Sequence, residues 1–161
     1  MRHPLHPAIV HFPIACWVLA ALLDLGICMA AALLGGPLRI PGVEPAAASL
    51  ALLYVGDAFA LAAIAAGLFD YASLPARVQD SPTLLRHMAW MGAATTLFVG
   101  VSIWRSRSPL SSAAALWLAA ALELAGALCL VIGGYLASIV VFRELAHGDV
   151  ASAPKRGLGS P

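Results

Sequence analysis

The residues in this chain best suited to chemistry are its five histidines, His3, His6, His11, His87 and His147. Two imidazoles facing each other across apolar helices can supply both axial nitrogens of a b-type haem, with the flat macrocycle filling the space between the helices. His11 and His87 are the pair expected to bind the iron, with His6 as a further cofactor-binding candidate. Arg86 and Arg143 would pair with haem propionates at the membrane surface. A second set of ionisable residues, Asp24, Asp57 and Glu123, falls inside long apolar stretches. There a carboxyl group is costly and reads by default as a functional site. The three form a candidate intramembrane polar cluster. They read either as proton-relay carboxylates or, the preferred reading, as protonated acids hydrogen-bonded to Tyr54, Thr95 or Thr96 between helices. Cys16, Cys28 and Cys129 show no CxxC spacing, so neither a disulfide framework nor a zinc site is expected.

The elements that must position these groups are set by composition. Hydrophobic residues make up 61% of 161 and charged residues 11%, with a mean hydropathy of +0.91. A soluble domain carries roughly a quarter charged residues, so lipid is the expected solvent. Four stretches are long enough to cross a hydrocarbon core: residues 10–34, 46–72, 87–104 and 111–142. Pro75 and Pro82 break the chain between the second and third, where a turn and a short polar loop are expected. The expected fold is an all-α integral membrane protein, an antiparallel four-transmembrane-helix bundle over residues 1–147 with a disordered polar tail over 148–161. The first apolar stretch is too long for a cleavable signal peptide and is expected to stay as a helix.

Antiparallel spans would bring every histidine to one face, together with Asp70, Tyr71, Arg86 and Arg143. On that face the first and third spans stand diagonally, so His11 and His87 could meet. Gly67, Gly92, Gly133 and Gly134 would leave room between them. Asp24 lies thirteen residues beyond His11, about 20 Å and 220° round a straight helix, so it does not share a compact site with that histidine. Of the nine Lys and Arg, Arg2, Arg77, Arg86, Arg143, Lys155 and Arg156 fall on the side of the termini. Arg39, Arg105 and Arg107 fall on the other. The positive-inside rule then places both termini in the cytoplasm of a bacterial-type inner membrane.

A net charge of +1 with no basic run excludes a nucleic-acid partner. No nucleophile–base pair, phosphate loop or zinc spacing appears, so an electron-transfer or accessory subunit is expected rather than an independent enzyme. Three functions are weighed. The first is a redox subunit that binds haem b and passes electrons within a larger membrane redox complex. The second is a cofactor-free accessory subunit of a membrane complex, and the third a small transporter or proton-conducting protein, which four unbroken spans match poorly.

The segments Leu5-His6-Pro7-Ala8-Ile9-Val10-His11-Phe12-Pro13, Ala66-Gly67-Leu68-Phe69-Asp70-Tyr71 with Pro75, and Leu85-Arg86-His87 resemble the small membrane proteins grouped as domain of unknown function 2231. The resemblance covers about residues 3–143. It implies a membrane bundle, and because relatives look like neighbours or fusion partners of Rieske-type and cytochrome domains, it points to membrane redox chemistry. The family's last helix tends to end Gly-Gly-x-Leu-Val-Tyr-x-His-Gly. Here Ala137 to Leu145 carries no histidine, and His147 follows.

Overall fold

A computed structural model describes residues 9–108 and 112–145 of the chain. His3, His6, His147 and the 148–161 tail lie outside the described residues. Within them the fold is all-helical. α1 spans His11–Leu34, α2 Pro45–Ala72, α3 Ala76–Gln79, α4 Pro82–Arg107 and α5 Ala113–Ile139, and α5 continues into a π-helical segment, Val140–Leu145. Three of these helices, α1, α2 and α5 with its extension to Phe142, are long and apolar enough to cross a membrane. α4 is as long but more polar.

The helix ends follow from local chemistry. Glu44 accepts a hydrogen bond from the Ala47 amide at 2.7 Å, and Ser112 accepts one from Ala115 at 3.2 Å, so both act as N-caps. α1 stops at Gly35, whose φ of 65° is the left-handed conformation that glycine tolerates. The short polar loop expected between Pro75 and Pro82 is instead the single turn α3. Its Gln79 side chain donates to the carbonyls of Tyr71 and Leu74, both at 3.0 Å, tying the single turn to the end of α2. The third long helix starts at Pro82, not His87, and ends at Arg107, not Trp104. Pro82 occupies the first helical turn, where its missing N–H is no loss, so it opens the helix rather than breaking it.

Each long helix packs mainly on two others: α1 on α2 and α5, and α4 on α2 and α5. Contacts fix the directions. Phe12 stacks on Phe59 while Trp17 meets Gly56, so α1 and α2 run oppositely. His87 meets Gly133 and Phe98 meets Gly126, so α4 and α5 do likewise. Trp17 stacks on Phe98 and Asp24 meets Arg105, so α1 and α4 run the same way across the interior.

The buried stripes have the spacing that such packing needs. On α2 they are Ser49, Leu53, Gly56, Ala60 and Ala63, alternating steps of four and three. The centre is an aromatic pair, Trp17 and Phe98, with ring centroids 4.8 Å apart and planes 5° from parallel. Two glycines make the space. A Cβ on Gly56 would lie 2.6 Å from Trp17 Cδ1, and one on Gly126 would lie 2.7 Å from Phe98 Cε2. Large apolar side chains such as Leu19, Leu61, Leu128 and Val131 point outward, as lipid contact requires.

Gly126→Ala therefore overpacks a rigid ring and should destabilise the detergent-solubilised protein by about 1–3 kcal/mol. Gly92→Ala, whose Cβ meets nothing within 4 Å, should stay within about 0.5 kcal/mol of the parent. Thermal or denaturant unfolding of the two variants checks the contrast.

Candidate functional site

On α4 the buried residues Ala94, Phe98 and Val101 define a stripe whose next member is Arg105, two residues from the helix end. A helical side chain leans toward the N-terminus of its own helix, which here is back into the bundle. Arg105 follows that direction, and its side chain is only 6% exposed. Nη1 donates to the Asp24 carboxylate of α1, donates to Ser49 Oγ of α2 at 3.0 Å, and lies 3.5 Å from Glu123 Oε1 of α5. Nη2 donates to the carbonyl of Ala46, in the first turn of α2, at 3.0 Å. One guanidinium thus joins all four long helices.

Glu123 is the unusual member. It is 0% exposed, and neither carboxyl oxygen has a hydrogen-bond partner. Asp24, 4% exposed, shares the Arg105 charge with it. One guanidinium neutralises one carboxylate, so the cluster holds either an excess negative charge or a bound proton. Desolvating an isolated carboxylate costs many kcal/mol, whereas a carboxylic acid is far cheaper to bury. The arrangement is therefore a charge-balanced pair beside a carboxyl group able to carry a proton.

Asp57 is elsewhere. Its Oδ1 accepts the Trp17 indole N–H at 3.0 Å, which gives a buried tryptophan the partner it needs. Of the three acids, Asp24 and Glu123 meet at Arg105, and Asp57 supports the aromatic pair. The expected partners Tyr54, Thr95 and Thr96 do not serve them. Thr95 and Thr96 donate to carbonyls of their own helix, those of Met91 and Gly92, each at 2.9 Å, and Tyr54 points outward. A hydroxyl four residues from a helical carbonyl finds a partner without a neighbouring helix. Arg105, read from sequence as a loop charge, is the residue that was missed. Its signal was present: it continues the i, i+4, i+7, i+11 stripe of Ala94, Phe98 and Val101, while the facing spans each carry a lone acid.

The histidine side has a different character. His11 is exposed on α1, on a different face from the buried Asp24. His87 is half-buried, and its Nδ1 lies 2.8 Å from the Gly133 carbonyl. Because a carbonyl only accepts, that contact makes Nδ1 the protonated nitrogen, and Nε2 has no hydrogen bond among the described residues. Met91 fills the space at Gly133, since a Cβ there would lie 2.7 Å from its sulfur. Arg86 is exposed, and Arg143 lies on the π-helical segment. Among the described residues no three His, Cys, Asp or Glu side chains gather as a metal-binding group. Cys16, Cys28 and Cys129 are free thiols.

No curated protein and no solved structure matches the chain. The family of predicted membrane proteins designated DUF2231 matches residues 2–149, nearly the whole length. An all-helical fold with apolar helices of membrane-crossing length agrees with that description, and the chain belongs to the DUF2231 family of membrane proteins.

Proposed function

We propose that this protein crosses a bacterial-type cytoplasmic membrane four times and takes up and releases a proton at Glu123 inside its bundle. The observation that carries the reading is a fully buried carboxyl group with no hydrogen-bond partner, beside an ion pair that already balances its own charge. Ionisable groups are rare inside membranes and mark proton or ion sites. α4 supplies the fourth crossing. Its 26 residues span about 39 Å, more than a hydrocarbon core of about 30 Å. Its charged residues lie only near its ends, leaving residues 88–104 without an ionisable side chain. Withdrawal of Arg105 into the bundle also leaves Arg39 and Arg107 as the Lys and Arg of the face opposite the termini, which favours cytoplasmic termini.

Infrared difference spectra of bilayer-reconstituted protein between acid and alkaline pH test this. A carbonyl band of a buried carboxylic acid is expected, lost in Glu123→Gln and kept in Asp57→Asn. A folded protein showing no Glu123-dependent band would mean that the group keeps one protonation state throughout, which overturns the reading.

A second reading, a redox subunit with haem b at His87 and His11 or His6, is favoured by the His87 ring alone. A histidine whose Nδ1 is held by a backbone carbonyl presents Nε2 as ligands to iron commonly do. The described residues offer one axial position, because His11 is exposed and points away from the packed interior. A low-spin b-type spectrum, lost in His87→Ala, is the result this reading expects. A colourless, folded preparation expressed with ample haem would dismiss it.

A further inference from the structure

We propose that the Glu123 site opens to one face of the membrane only, the face where α2 starts and α4 ends, and that Arg105 is its lid. This rests on the proton reading above and adds the path.

The helices around the site end at different heights. Ser49 lies four residues after the start of α2, and Arg105 two residues before the end of α4. Asp24 and Glu123 are each ten residues from the ends of α1 and α5 on that side, about 15 Å. Two of the four helices therefore stop close to the cluster, and two continue past it. The site sits on a step, about one helical turn from the ends of α2 and α4 on that side.

The guanidinium of Arg105 faces two ways. Nη1 faces the buried Asp24, Ser49 and Glu123, whereas Nη2 bonds the Ala46 carbonyl in an exposed position. Arg105 thus lies between Glu123 and that face. The groups around Glu123 are Asp24 and Cys28 from α1, the latter within electrostatic reach, Ser49 from α2 and Arg105 from α4. None of the four other than Arg105 reaches the exposed step.

The opposite side is closed. Below the cluster the interior is closed by Trp17 stacked on Phe98, with Leu53 and Val101 fully buried beside them and Gly56 and Gly126 pressed against the rings. The histidine face lies beyond this plug. A proton that reaches Glu123 past Arg105 has no matching exit through the aromatic layer, so the site loads and unloads from the same side.

The test uses full-length protein in vesicles of known orientation. A charged, water-soluble carbodiimide, which modifies carboxyl groups in their protonated form, is added to one face at a time, and the Glu123 adduct is read by peptide mass spectrometry. In parallel, Ser49→Cys in a chain with Cys16, Cys28 and Cys129 replaced by serine is treated with an impermeant thiosulfonate. Both reagents should react from the face where α2 starts and not from the histidine face. Arg105→Gln should speed both reactions by about tenfold to a hundredfold, the factor set by losing one charge-assisted hydrogen bond. Arg105→Lys, which keeps the charge but cannot bridge Ala46 and Asp24 together, should fall between. Labelling of Ser49→Cys from both faces overturns the one-sided path whatever the infrared result. One-sided labelling with no Glu123 carboxylic-acid band overturns the proton reading instead.

Discussion

An arginine two residues from the end of a membrane helix ordinarily reaches outward to headgroups and water. Arg105 instead points inward, and the rest of the structure depends on the two acids that hold it there. Placing a charged residue at the centre of a membrane helix costs about 2.5–3.5 kcal/mol on the insertion scale. Asp24 and Glu123, each ten residues from a helix end, would incur that cost as ionised groups if the helices were apart. Assembly offsets it, because the low dielectric that penalises separated charges strengthens their attraction once they meet. The cluster draws on α1, α2, α4 and α5 together, so it specifies which helices must be neighbours and in which register.

Packing does the complementary work in the other half of the bundle. Hydrophobic burial gives little drive between helices already in lipid, so close fit must hold them. The Trp17–Phe98 stack and the glycines that receive it give that fit, and Asp57 satisfies the one polar atom the tryptophan would otherwise strand. A stacked aromatic pair contributes about 0.5–1.5 kcal/mol beyond its buried area. The bundle therefore has a polar upper storey and a dry lower one, with the histidines beyond the dry layer. That division gives the acids an environment separate from His11 and His87.

Much of this was legible in the sequence. Apolar length located the three helices long and apolar enough to cross a membrane, because hydropathy and helix rise leave little freedom there. The break at Pro75 and Pro82 was legible, but the third long helix begins at Pro82 and not at His87, since a proline fits a first helical turn and hydropathy does not mark that turn. Asp24 and Glu123 were recognisable as costly residues, and their joint partner was overlooked because Arg105 sits beside Ser106 and Arg107 and looks like loop. Charge near a helix end reads as solvated unless the buried stripe is traced through it. Asp57 was grouped with the other acids by depth alone, and depth does not say which neighbour an acid faces. The family match covers almost the whole chain and agrees with a membrane bundle.

The central claim is that Arg105 is a buried partner of Asp24 and Glu123, not a surface charge. A double-mutant cycle measured by reversible unfolding in mixed micelles tests it most directly. Asp24→Asn and Arg105→Gln should each cost about 3–5 kcal/mol, the cost of stranding one buried charge. The double variant should lose less than their sum, with a coupling near the upper end of about 0.5–3 kcal/mol. Single losses below about 0.5 kcal/mol with no coupling, the behaviour of an exposed arginine, would contradict the account.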